Sequence, residues 1–134
     1  MPTTLSLAIT GPAAPYVLLV FGFLALIVVD ILLGLIEGVA LTLLSWNPTR
    51  TCIKVSFIMN LVSGVVNGIL LILLQENPLV WLPISFVISL LVEGFILSYF
   101  KRGFIRQNSL SVIIANLSSY LLLILPAYYF GNRP

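Results

Sequence analysis

A glutamate set inside an apolar run occurs twice in this sequence, and the two occurrences share one frame. Leu35-Ile36-Glu37-Gly38-Val39-Ala40-Leu41 returns as Leu91-Val92-Glu93-Gly94-Phe95-Ile96-Leu97, 56 residues later. Asn60-Leu61-Val62-Ser63 is answered by Asn116-Leu117-Ser118-Ser119 at the same offset, and Arg50 by Arg106. Two Glu, two Asn and two Arg at one ungapped spacing point to an internal duplication. The surroundings of the two acids restrict the fold further. An ionised side chain at the centre of a bilayer costs about 2.5–3.5 kcal/mol on insertion scales, and no Lys or Arg stands inside the runs to offset it.

Those runs are long. With 60% hydrophobic and only 7% charged residues, against roughly 25% charged in soluble domains, the chain reads as an all-α integral membrane protein. Its 134 residues leave room for four helices of about 20 residues, the length that crosses some 30 Å of hydrocarbon, and for little else. The expectation is a single transmembrane domain over 1–134, made of a polar amino-terminal tail (1–15), a first hairpin (16–74) and a second (79–130). The tail has no basic residue ahead of an apolar core, so it does not read as a secretory signal. Within the hairpins, helices are expected over Tyr16–Leu44, Ile53–Leu74, Leu79–Phe100 and Ser109–Phe130. They are separated by an Asn47-Pro48 breaker, a Gln75-Glu76-Asn77-Pro78 break and a turn over Lys101–Asn108. Pro78 and Pro83 sit near a helix start, where a missing amide donor costs little; Pro126 is a candidate kink.

Five of the six basic residues, Arg50, Lys54, Lys101, Arg102 and Arg106, lie in or beside the first and third turns. The positive-inside rule then makes those turns cytoplasmic and places both termini on the opposite side of a membrane such as a bacterial inner or thylakoid membrane. Trp46 and Tyr99 would mark one interface; Tyr16, Trp81, Tyr128 and Tyr129 the other. Because each copy holds two helices, the copies share one orientation, and their pseudo-twofold axis runs along the bilayer normal.

Residues equally far from a hairpin turn lie at one depth. Glu37 is thereby level with Asn60, Glu93 with Asn116, and Asp30 with Asn67; the last pair has Phe86 and Leu123 as its counterparts. Helical spacing collects inward faces: Asp30, Gly34, Glu37 and Gly38; Ser56, Asn60, Ser63, Gly64, Asn67 and Gly68; Ser85, Ser89 and Glu93; Asn116, Ser119 and Tyr120. Gly34-x-x-x-Gly38 and Gly64-x-x-x-Gly68, together with Gly94, offer close backbone approach, the usual basis of helix association in lipid. At least one of Glu37 and Glu93 is expected to hold a proton at neutral pH and to close a hydrogen bond with Asn60 or Asn116.

Several chemistries are excluded. One cysteine, Cys52, gives no disulfide and no Cys-x-x-Cys pair, although at a membrane edge it is a candidate for acylation. With no histidine there is no usual haem ligand, and the numerous Ser and Thr have no base to activate them. No cofactor and no metal site are expected. The charge of +2 gives no basic patch for nucleic acid. In length and in its first-helix glutamate the chain resembles small multidrug exporters, but two glutamates in a tandem frame and a one-sided charge bias set it apart from dual-topology members of that family. The expected function is non-enzymatic: an accessory or structural subunit packed laterally in a larger membrane complex, its partners being the lipid bilayer and other membrane subunits or further copies of itself. The alternative is a small proton- or cation-coupled carrier built on the Glu/Asn cluster, an oxygen-rich cage.

Overall fold

The computed structural model describes residues 14–74 and 78–131. Within them lie four helices, each long and apolar enough to cross a membrane: α1 (Ala14–Leu43), α2 (Thr49–Leu74), α3 (Pro78–Phe100) and α4 (Ile105–Gly131). Almost all of the tail and the 75–77 break fall outside the described residues.

Helix α1 packs on α2, α2 on α3, α3 on α4 and α4 back on α1, so the four close into a ring. Successive helices run antiparallel, which brings the 44–48 and 101–104 turns to one end of the bundle. The apolar core gathers at that end. Leu41, Trp46, Cys52, Val55, Met59, Leu97 and Ala115 are wholly buried, with Ala40 and Val112 beside them.

The starts of α2 and α4 correct the sequence reading. Both helices begin four residues earlier than expected, at Thr49 and Ile105. Pro48 does not interrupt α2; it precedes it, and its carbonyl accepts the amides of Thr51 and Cys52 at 2.8 and 3.0 Å, so the ring's fixed φ serves as a helix start. Arg50 and Arg106 therefore stand on first helical turns, not in loops, and Lys54 follows on the second turn of α2. The third turn shrinks to 101–104, where Gly103 takes a left-handed φ of 81°.

Near the end of α4 the backbone widens. Residues Tyr120–Ile124 form a π-helical segment before the helix resumes at Leu125, and the Leu125 amide bonds back to the Tyr120 carbonyl. Pro126 follows at once. It brings no amide to an α-type ladder, so the insertion falls where regular bonding is already broken.

Trp46 departs from its expected role. It is not an interfacial belt residue but is completely buried beneath the turns. Its indole Nε1 donates to Asn108 Oδ1 at 2.8 Å; Asn108 Nδ2 in turn donates to the Lys101 carbonyl at 2.8 Å; and Lys101 Nζ donates to the Trp46 carbonyl at 2.5 Å. This loop of three bonds latches one turn to the other. Tyr99, by contrast, is exposed.

Candidate functional site

The polar centre is assembled one hydrogen bond at a time. Asn60 on α2 faces Glu37 on α1, and its Nδ2 donates to Glu37 Oε2 at 2.8 Å. Asn116 on α4 faces Glu93 on α3, with Nδ2 to Oε2 at 2.6 Å. The second carboxyl oxygen of each acid reaches across the bundle: Ser119 donates to Glu37 Oε1 at 2.7 Å, and Ser63 donates to Glu93 Oε1 at 2.7 Å. Every acid thus takes an amide from its own hairpin and a hydroxyl from the other.

The surrounding helices supply the remaining partners. Each amide also donates to the carbonyl one turn back, Asn60 to Ser56 and Asn116 to Val112, at 2.9 and 3.1 Å. Ser56 Oγ bridges to the Gly34 carbonyl at 2.7 Å. Glu37, Asn60, Ser63, Glu93, Asn116 and Ser119 are all buried.

The glycines divide into those that carry close contacts and those that do not. A Cβ on Gly34 would stand 2.8 Å from the Phe57 ring, and one on Gly38 would stand 2.7 Å from both Ile53 Cδ1 and Ser56 Oγ. At these two positions α1 meets α2 too closely for a side chain. Gly64 faces the Asp30 carboxylate at 3.3 Å; Gly94 has only an ordinary contact with Val112, and Gly68 has open space. Of the Gly64-x-x-x-Gly68 pair, therefore, only Gly64 stands at a close contact.

The expected Asp30–Asn67 layer is not built as a pair. Asn67 Nδ2 donates to Ser89 on α3 at 3.0 Å, while Asp30, partly buried, lies over Gly64. At the corresponding depth of the second hairpin, Phe86 and Tyr120 form an edge-to-face ring pair at 4.9 Å, and the Tyr120 and Ser85 hydroxyls lie 3.0 Å apart.

Ser63 and Ser119, expected on the inward faces, complete the centre by bonding the glutamate of the other hairpin, a role the depth pairing of Glu with Asn does not give them. Their signal was available, since they share the 56-residue spacing. The Trp46–Asn108–Lys101 latch had no such signal, because none of its three bonds recurs at that offset. Cys52 is buried and its thiol donates to the Asn47 carbonyl at 3.1 Å, so in this fold the thiol is not open to acylation. Of the described basic residues, Arg50, Lys54, Arg102 and Arg106 are exposed, and only Lys101 is drawn into the latch. Among the described residues, no group of three or more His, Cys, Asp or Glu comes together as a metal site.

Two apolar grooves open on the outer surface. One, of about 630 Å³, runs between α2 and α3; the other, of about 330 Å³, runs between α1 and α4 and includes Leu35, Val39, Leu43 and Leu122. Comparison with known protein families, characterised proteins and solved structures finds no match to this chain.

Proposed function

We propose that this chain is a non-enzymatic integral membrane subunit that packs laterally within a larger assembly, its two hairpins being tandem copies locked together by the Glu/Asn/Ser centre. The observation that carries this reading is the state of α1 beyond that centre. Nine consecutive residues, 20–28, are exposed, which is about two and a half turns and therefore every face of the helix. A helix that no described residue of its own chain covers is one that lipid or a neighbouring subunit is expected to cover. The centre itself is closed, with each carboxyl oxygen occupied by a protein donor.

The duplication is supported by contacts that recur at the 56-residue offset. Glu37–Asn60 has its counterpart in Glu93–Asn116, and Ser119–Glu37 in Ser63–Glu93. The residues lining one outer groove also return in the other: Leu35 as Leu91, Val39 as Phe95, Leu43 as Tyr99. In this reading the basic turns face the cytoplasm. The test is mild-detergent purification from the native membrane with single cysteines introduced at Phe21, Phe23 and Leu24. Cross-links to another chain and retention of partner subunits are expected. A chain that runs alone, with all three positions labelled equally by lipid-phase reagents, would remove the proposal.

A carrier reading rests on the two buried carboxyl groups, either of which could take up and release a proton. It requires that Glu37→Gln with Glu93→Gln abolish proton or cation responses while the fold persists. Unchanged responses in the double variant would discard it.

A further inference from the structure

We propose that the groove between α2 and α3 holds one anionic phospholipid, an acyl chain lying against its apolar floor and the phosphate held at its mouth by Lys54 and Arg102. The floor is formed by Ile58, Val62 and Val66 of α2 facing Leu91, Phe95 and Tyr99 of α3. The α2 residues stand four apart, a single stripe along one side of the helix. From Val66 to Lys54, one further step along that stripe, the rise is about 18 Å, close to the roughly 15 Å of one hydrocarbon leaflet. The groove is thus one leaflet deep, and it ends at the basic side of the bundle.

Charge distinguishes its mouth. Lys54 is exposed one turn beyond Ile58, and Arg50 is exposed one turn beyond Lys54. On the α3 side the Arg102 guanidinium lies over the Tyr99 ring, 5.3 Å from its centroid, and Tyr99 is itself a groove residue. Two cations therefore flank the place where a phosphate in that leaflet would stand. The α1–α4 groove lacks this feature. Its α4 stripe runs from Leu122 through Ser118 and Ile114 to Leu110, so Leu110 stands where the other groove has Lys54, and the first basic residue, Arg106, comes one turn farther out. Lys101, the other nearby cation, is held by the Trp46 carbonyl. A smaller groove with a neutral mouth provides the internal control.

The experiment is native mass spectrometry of the full chain in zwitterionic detergent, titrated with phosphatidylglycerol or phosphatidylcholine of matched acyl chains. One retained phosphatidylglycerol is expected, with a preference over phosphatidylcholine of about tenfold or more. The double variant Lys54→Ala with Arg102→Ala should lower phosphatidylglycerol retention by roughly thirtyfold, whereas Arg106→Ala should leave it unchanged. Val62→Trp, which fills the groove without touching a charge, should lower retention of both lipids and keeps the test decisive if the double variant fails to fold. Equal retention of the two lipids would overturn the proposal, as would an equal loss in Arg106→Ala. Full displacement of the lipid by inorganic phosphate alone would also overturn it, because the apolar floor would then contribute nothing.

Discussion

The bundle has two unlike halves, and the Glu37–Glu93 centre is the boundary between them. On the side of the turns the helices are held by a buried core, by Trp46 latched to Asn108 and Lys101, and by α1 glycines in direct contact with α2. On the other side α1 is exposed all round, Gly68 has open space beside it, and beyond Tyr120 α4 has no buried residue. The polar residues differ in the same way. Glu, Asn and Ser at the boundary satisfy one another across all four helices, whereas Asp30, Asn67 and Tyr120 make looser, pairwise contacts. In lipid, where apolar surface gains nothing by leaving the acyl chains, helices remain together through close backbone packing and interhelical hydrogen bonds. The half that has both is closed, and the half whose described residues leave α1 exposed and Gly68 uncrowded is open.

The contrast is broken most directly by matched truncations. Trp46→Ala removes a wholly buried ring and leaves Asn108 without its donor; it is expected to cost about 3–5 kcal/mol in unfolding of the purified chain. Phe23→Ala, at 62% exposure, should cost under about 0.5 kcal/mol in the same measurement and yet reduce recovery of partners from native membranes. Equal costs in the purified chain would show that the two halves are equally packed.

The boundary itself comes next in size. Glu37→Ala or Glu93→Ala strands one buried amide N–H and leaves the serine hydroxyl only its own helix carbonyl, a loss of about 3 kcal/mol. Glu37→Gln keeps one acceptor for Asn60 and turns its NH2 toward Ser119, whose hydroxyl can donate to the Asn116 carbonyl instead, so about 1 kcal/mol is expected. The wild-type chain should show the infrared carbonyl stretch of a protonated carboxylic acid at neutral pH, and that band should disappear when both glutamates are replaced by Gln. Persistence of the band in the double variant would assign the proton elsewhere.

What the sequence made legible follows the same boundary. Four helices and the inward faces bearing Glu37, Asn60, Glu93 and Asn116 could be read because lipid imposes length and excludes unpaired polarity, two constraints that act on residue type alone. The Asp30–Asn67 pairing failed for a physical reason: equal depth does not imply contact once helices diverge, and Ser89 on α3 lies nearer to Asn67 than Asp30 does in bonding terms. Trp46 was misjudged because an aromatic residue at a turn has the same local signature whether it lies at the interface or folds beneath it. Helix starts were set four residues late because polar and basic residues were assigned to turns, although a first helical turn accepts them equally well once Pro48 fixes the entry.

A smaller effect sharpens the relation between the hairpins. Ser63→Ala and Ser119→Ala each remove one bond that crosses from one hairpin to the other, and each is expected to cost about 0.6–2 kcal/mol. If the hairpins are equivalent copies, the two costs should agree within about 0.5 kcal/mol, and each should be non-additive with loss of the glutamate it serves. A cost confined to one serine would make the centre asymmetric in energy despite its matched distances.

The smallest effect concerns the turn that seals the packed half, and it has the opposite sign. At the end of α1, Trp46 N–H bonds the Leu41 carbonyl at 3.0 Å and Ser45 N–H bonds that of Thr42 at 2.9 Å, while Ser45 takes φ 52°. This is the Schellman arrangement, with its apolar contact supplied by Trp46 over Leu41, both fully buried. The left-handed position ordinarily favours glycine, because a Cβ there crowds the backbone. Ser45→Gly should therefore stabilise the purified chain by about 0.5–1 kcal/mol, read as a higher unfolding midpoint, even though glycine gives the unfolded chain more freedom. The gain should vanish in a Trp46→Ala background, because without the buried indole the turn is no longer held in the conformation that penalises serine.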